Sequence, residues 1–154
     1  MRDRNPGHLR PARPEEADDL RQLVADAYAH YVIRMGKPPG PMLDDYARRV
    51  ADRQAWVLED GGALAGLIVL EDDGGALLLD NVAVSPSAQG KGYGRTLIAF
   101  AEEEARRRGH REVRLYTNVL MIENIAFYGR LGFRETGRVN EKGFERVHMA
   151  KVLG

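Results

Sequence analysis

The sequence predicts one α/β (α+β) domain spanning residues 1–154, built on a mixed, mostly antiparallel sheet of about seven strands covered by four helices. Three observations point there. Apolar runs between Gln54 and Val84 are separated by Asp60-Gly61-Gly62 and Asp72-Asp73-Gly74-Gly75, which is turn chemistry for an antiparallel meander. A strand, a long amphipathic helix and a second strand follow from Ala76 to Thr117, and such a crossover makes its two strands parallel. The length suits one hydrophobic core without staples.

In chain order, His8 to Arg13 predicts a short first strand stopped by Pro14. Proline suits the first position of a helix, and Glu15, Glu16, Asp18 and Asp19 put negative charge on its N-terminal turns. Leu20, Leu23, Val24, Ala27, Tyr28 and Tyr31 recur at three- and four-residue spacing, so this helix buries one stripe and ends near Met35. Gly36 to Pro41 cannot continue it and form a loop. A second helix follows, with Leu43, Tyr46, Ala47 and Val50 expected on its inner face.

Strands are then expected at Gln54 to Glu59, Ala63 to Glu71 and Ala76 to Val84. The third is nearly continuously apolar, as a strand covered on both faces should be, and only Asp80 and Asn81 break it. A long helix buries Leu97, Ile98, Ala101 and Ala105, places Glu102 to Glu104 four residues ahead of Arg106 to Arg108 on its wet side, and ends at Gly109. Glu112 to Thr117 is a strand and Asn118 to Leu131 a helix ended by Gly132. Phe133 to Val139 and Phe144 to Val152 form a hairpin about Asn140, Glu141, Lys142 and Gly143.

Composition excludes several classes of function. Basic and acidic side chains number 23 each, so no overall field draws the chain onto nucleic acid or an anionic membrane. Cysteine is absent, which removes disulfides, thiolate metal sites and a cysteine nucleophile. His8, His30 and His110 show no ligand spacing, so no metal is expected. Met1 to Pro6 lack an apolar signal core and no apolar run reaches the length of a membrane span, so a soluble, cytoplasmic protein is expected.

The stretch that carries chemistry lies between the third meander strand and the long helix: Gln89, Gly90, Lys91, Gly92, Tyr93, Gly94, Arg95. Glycines at every second position let successive N–H groups turn towards one point where a helix begins, and a helix N-terminus carries unpaired N–H groups with roughly half a positive charge. The junction should therefore bind a phosphate or pyrophosphate. It is not a Walker loop, because Gly92 follows Lys91 where a Ser or Thr would hold magnesium. It is not a dinucleotide fingerprint either, because Arg95 stands where the third glycine belongs.

Gln89-x-x-Gly92-x-Gly94, preceded by Val84-Ser85-Pro86, resembles the acyl-CoA loop of the GCN5-related N-acetyltransferase (GNAT) superfamily. Asn124-Ile125-Ala126-Phe127-Tyr128-Gly129-Arg130-Leu131-Gly132-Phe133 resembles that superfamily's second signature, and the order of elements matches throughout. The resemblance implies acetyl-CoA as co-substrate, with a primary amine of a small molecule or peptide as acceptor. It implies that the backbone amides of Gln89 to Arg95 hold the diphosphate and that Asn124 holds the pantetheine or phosphate side. Should the parallel strands splay, Val82, Ala83 and Val84 are left to bond the pantetheine arm, and one of their N–H groups meets the oxyanion. Homodimers are common in the superfamily.

Tyr128, on the same helix face as Asn124, is the expected catalytic acid for the leaving thiolate. Asp80, a carboxylate within an apolar strand, and His148 are candidates for the group that takes the proton of the attacking ammonium, as is water. Tyr28, Tyr31, Tyr46 and Met42 either line an acceptor pocket or, for the tyrosines, belong to the core. The alternative function is a non-catalytic module that senses acyl-CoA.

Overall fold

The structure, a computed structural model, describes residues 7–154; the segment Met1 to Pro6, read above for a signal core, lies outside the described residues. Seven strands form one sheet: β1 (His8–Pro11), β2 (Ala55–Asp60), β3 (Ala63–Asp73), β4 (Ala76–Val84), β5 (Glu112–Asn118), β6 (Arg134–Glu141) and β7 (Phe144–Val152). Their order is β1-β2-β3-β4-β5-β7-β6. Four α-helices accompany them: α1 (Ala17–Met35), α2 (Tyr46–Ala51), α3 (Tyr93–Arg107) and α4 (Ile122–Arg130). β4 and β5 are parallel, whereas β1 with β2, β2 with β3, β5 with β7 and β6 with β7 are antiparallel. This is the mixed sheet expected from the sequence.

The chain divides into two compact units, the described residues up to Val69 with Asn81–Ile98, and Leu70–Asp80 with Ala99–Gly154. In the first, β1 stops at Pro11 rather than Arg13, although the Ala12 N–H still bonds the Ala55 carbonyl at 3.0 Å, and Arg13 leads into a 3-10 turn, Pro14–Glu16. The Glu16 carboxylate accepts the Arg13 N–H at 2.8 Å and pairs with the Arg10 guanidinium at 2.6 Å, while Arg10 also reaches Glu59 at 2.9 Å. Arg10 thereby holds the Glu16 carboxyl below the usual carboxylate range. α1 buries Leu20, Leu23, Val24, Tyr28 and Tyr31, the expected stripe, and ends where Gly36 turns left-handed.

The second helix differs from expectation. Leu43 is 68% exposed and ends a 3-10 turn, Gly40–Leu43, that Pro39 and Pro41 impose; α2 begins only at Tyr46, where the Asp45 side chain caps the Arg48 N–H. Its inner face is therefore Tyr46 and Val50, with Ala47 exposed. The core of this unit is Val57, Leu58, Leu67, Ile68 and Val69, all fully buried. A Cβ on Gly66 would stand 3.0 Å from Leu97 Cδ1 and 3.3 Å from the Ala83 carbonyl, so glycine is what lets α3 close down here.

In the second unit the parallel ladder comprises four pairs, Ala76↔Glu112 to Leu79↔Leu115. Leu77, Leu79, Val113, Leu115, Val147 and Met149 are buried, as are Ala101 and Ala105 of α3. The arginine-rich end of α3 departs from the simple pattern. Glu104 is only 7% exposed and is shared by Arg107 and Arg108, Arg106 pairs with Glu103, and Glu102 turns to Lys151 at 2.9 Å. A carboxylate clasped by two guanidiniums can leave water, which an isolated one cannot. α4 starts at Ile122 rather than Asn118, because Asn118 is still strand and its side chain takes the Leu120 N–H at 2.9 Å. The β6–β7 hairpin closes where expected, with φ of 53° at Lys142 and 79° at Gly143.

The Arg10–Glu16 pair has a pH signature. Because the folded-state value of Glu16 is depressed, its contribution is complete above the ordinary carboxylate range and is lost as pH falls through the folded value. Glu16→Gln should lower stability at about pH 7, and its deficit should shrink towards about pH 3, as read from urea midpoints at the two pH values.

Candidate functional site

In the first unit the chain leaves β4 through Ser85 and a 3-10 turn, Pro86–Ala88, before α3 begins at Tyr93. Gly90 and Gly92 have φ of +87° and +82°, and a Cβ on either would meet nothing within 4 Å. Backbone conformation, not crowding, demands glycine at both, and the space beside them is open. Gly94, expected to act in the same way, is helical instead, in the first turn of α3. The Thr96 N–H bonds the Gly92 carbonyl at 3.2 Å, so the opening N–H groups of α3, at Tyr93, Gly94 and Arg95, precede any helical acceptor. Two left-handed glycines thus stand just before a 15-residue helix, at whose N-terminus unpaired N–H groups and the helix dipole favour an anion.

Two side chains of this loop, Tyr93 and Lys91, are tied to a residue outside it. Tyr93 is buried and donates its phenol hydrogen to the Asp60 carboxylate at the end of β2, and Lys91 Nζ lies 3.3 Å from the same carboxylate. These two partners, Tyr93 first, hold the Asp60 carboxyl below its ordinary value, and Asp60 in turn raises the Tyr93 phenol. Tyr93 thus anchors the loop, and Lys91 is paired within the protein. Arg95 is exposed. Gln89 Nε2 lies 3.4 Å from the Val84 carbonyl.

Asn81 of β4, 4% exposed, is the centre of a polar network. The Tyr28 hydroxyl lies 2.9 Å from its Oδ1 and 3.0 Å from the Val82 carbonyl; Asn81 Nδ2 donates to the Tyr46 hydroxyl at 3.0 Å, which donates to the Pro41 carbonyl. Tyr28, Tyr31 and Tyr46 are all buried, so of the two expectations for them the core is the one observed. Met42 is half-buried.

In the second unit Tyr128 is buried on α4 against Phe127 and, edge-on, Phe133, at centroid distances of 5.6 and 5.9 Å. One turn earlier, Asn124 is half-buried with Nδ2 3.6 Å from Met121 Sδ. Asp80, half-buried, accepts the Tyr116 hydroxyl at 2.8 Å. Tyr116 faces His148 across the β5–β7 register, with ring centroids 5.7 Å apart, and carries the Arg146 guanidinium 4.5 Å above its ring. His148 Nε2 lies 2.9 Å from Glu141, whose carboxyl it holds below the usual range. Tyr116 was missed from the sequence because nothing local says that β5 pairs with β7. Among the described residues there is no group of three His, Cys, Asp or Glu that could hold a metal ion, and no helix long and apolar enough to cross a membrane.

Residues 17–133 match the family model of the Acetyltransferase (GNAT) family, and the chain belongs to that family. It is similar to the mycothiol acetyltransferase of Clavibacter sepedonicus, 31% identical over 79% of this chain and 40% of that protein. It is also similar to an uncharacterized N-acetyltransferase of Bacillus subtilis (strain 168), 29% identical over 67% of this chain and 65% of that one. The chain thus spans less than two thirds of the length of either relative. Among solved structures, the PaiA N-acetyltransferase of Thermoplasma acidophilum, crystallised in complex with coenzyme A, shares the fold with a TM-score of 0.71 at 21% identity, over 94% of this chain and 98% of that one.

The left-handed φ at Gly92 yields a direct test. Gly92→Ala should cost about 1 kcal/mol or somewhat more in stability, and should weaken inorganic pyrophosphate binding at least tenfold, as read by a thermal melt and by calorimetric titration.

Proposed function

We propose that the chain transfers an acetyl group from acetyl-CoA to a primary amine of a small molecule or peptide by direct attack. The observation that carries this is the loop Gln89–Arg95, whose left-handed glycines and helix-opening N–H groups suit a diphosphate. Acetyl-CoA, when bound, supplies an acyl carbon activated as a thioester. The backbone N–H groups of Gln89, Gly90, Lys91, Gly92, Tyr93, Gly94 and Arg95 grip its diphosphate, and Asn124 binds the pantetheine or phosphate side. Among Val82, Ala83 and Val84, a main-chain N–H meets the oxyanion as the amine nitrogen bonds to the carbonyl carbon.

As the carbon–sulfur bond breaks, the Tyr128 hydroxyl gives its proton to the departing sulfur. Asp80, held by the Tyr116 hydroxyl at 2.8 Å, takes the proton that the attacking ammonium must lose. Membership of the acetyltransferase family supports the reaction class, and the Thermoplasma fold relative solved with coenzyme A supports the donor.

Melting in the presence of acetyl-CoA, followed by a thiol-release assay over a panel of amines, tests the proposal. Stabilisation with thiol release is the expected result. Stabilisation without release for any amine would identify an acyl-CoA sensor instead, and no stabilisation would remove both. Tyr128→Phe should keep acetyl-CoA affinity within about threefold while lowering turnover by about a hundredfold or more; unchanged turnover would exclude the acid role.

A further inference from the structure

We propose that Arg146 holds a carboxylate of the acceptor, so that the amine acetylated by this chain belongs to an amino acid or a similarly small amine with a carboxylate of its own. The inference rests on the acetyl-transfer function proposed above, with Asp80 beside the reacting amine, and it names the substrate class of that site. It begins with register in the second unit. The parallel ladder of β4 and β5 ends at Leu79↔Leu115, so Asp80 and Tyr116 are the first residues past its C-terminal end, and Asn118 lies further the same way. Arg146 stands opposite Asn118 on β7. The carboxyl ends of parallel strands are where open α/β sheets take their ligands.

Tyr116 joins the two charged groups at this end. Its hydroxyl donates to Asp80 at 2.8 Å, and the Arg146 guanidinium lies 4.5 Å from its ring centroid. The guanidinium also lies 5.4 Å from the ring centroid of Phe144. Aromatic contact occupies the flat face of a guanidinium and leaves the N–H groups at its rim to bond an anion. Those groups are little used here. Among the described residues the one ion pair of Arg146 is with Glu141, at 3.5 Å, and the same carboxylate oxygen, Oε1, lies 2.9 Å from His148 Nε2. The Arg146 side chain is nonetheless only 12% exposed. A guanidinium so far withdrawn from water, with several donors and a single long contact, is set to receive a carboxylate through its planar fork. An acceptor with both charges fits the pair, its ammonium towards Asp80 and its carboxylate towards Arg146, across the span of one tyrosine side chain. A polyamine would press a second ammonium onto the guanidinium, and a plain alkylamine would leave the fork without its anion.

The test supplies the full chain with acetyl-CoA and with paired acceptors: β-alanine and each L-amino acid that has a primary amine, against the matching decarboxylated amine. Spermidine and a short peptide amide complete the panel. In the wild type, kcat/KM for the best acid should exceed that for its decarboxylated partner by about tenfold or more. Arg146→Met should lower this ratio by about tenfold while KM for acetyl-CoA stays within about threefold, and Arg146→Lys, which keeps the charge but loses the fork, should fall between. A ratio of two substrates on one preparation does not depend on how much of it is folded, so lost stacking in Arg146→Met does not obscure the result. A wild type that prefers the decarboxylated amines, spermidine or the peptide, or that is indifferent to the carboxylate, overturns the proposal, as does an unchanged ratio in Arg146→Met. Failure to release thiol with any acceptor overturns the acetyl-transfer function itself, whereas release without preference for acids overturns only the role of Arg146.

Discussion

A buried amide in the middle of an apolar strand is the constraint on which the first unit depends. Asn81 has left water, and an amide left unpaired there would cost about 1–3 kcal/mol for each orphaned group. Tyr28 from α1 and Tyr46 from the first turn of α2 meet it on its two polar atoms. Both helices are thereby pinned to one residue of β4, and the apolar stripe of α1 has one rotational setting that satisfies the hydroxyl. The same Tyr28 hydroxyl lies 3.0 Å from the Val82 carbonyl, so two acceptors share its single hydrogen.

Charge is used locally in this chain. With equal numbers of acidic and basic side chains there is no net charge to set up a long-range field, and several ion pairs join near neighbours within a helix. Those at exposed positions contribute little, since water and salt screen them. Two of the ion pairs have consequences, one between elements distant in sequence and one within a helix. Asp60, at the end of β2, fastens Tyr93 and Lys91, two of the large side chains of the glycine loop. Glu104 is buried beside Ala105 near the C-terminal end of α3, where Arg107 and Arg108 both clasp its carboxylate.

The second unit gathers its polar groups by register. Tyr116 stands opposite His148 because β5 and β7 run antiparallel from Glu112↔Val152 to Asn118↔Arg146. Tyr116 reaches Asp80, Arg146 covers its ring, and His148 reaches Glu141 at the hairpin. Asp80 thus accepts a hydrogen bond from a neutral donor, the Tyr116 phenol. Tyr128, by contrast, is placed by its own helix and by Phe133 just beyond it, whose N–H closes on the Tyr128 carbonyl at 3.1 Å.

The element order, the parallel pair, the left-handed turns and the glycine loop were legible in the sequence, because each depends on interactions among near neighbours. Glycine at 90 and 92 announces its own φ, the crossover helix α3 makes β4 and β5 parallel, and Leu97, Ile98, Ala101 and Ala105 mark the buried side of that helix. Prolines also act locally, yet Pro39 and Pro41 turned the expected start of the second helix into a 3-10 turn and put Leu43 outside. What only the tertiary structure decided are partnerships across distance: Tyr28 with Asn81, Asp60 with Tyr93, Tyr116 with Asp80 and with His148. Spacing along the chain carries no record of them, since a tyrosine on an apolar stripe looks the same whether its hydroxyl ends in solvent or on a strand's carbonyl. Sheet register and helix rotation settle that, and both are fixed only when the core closes.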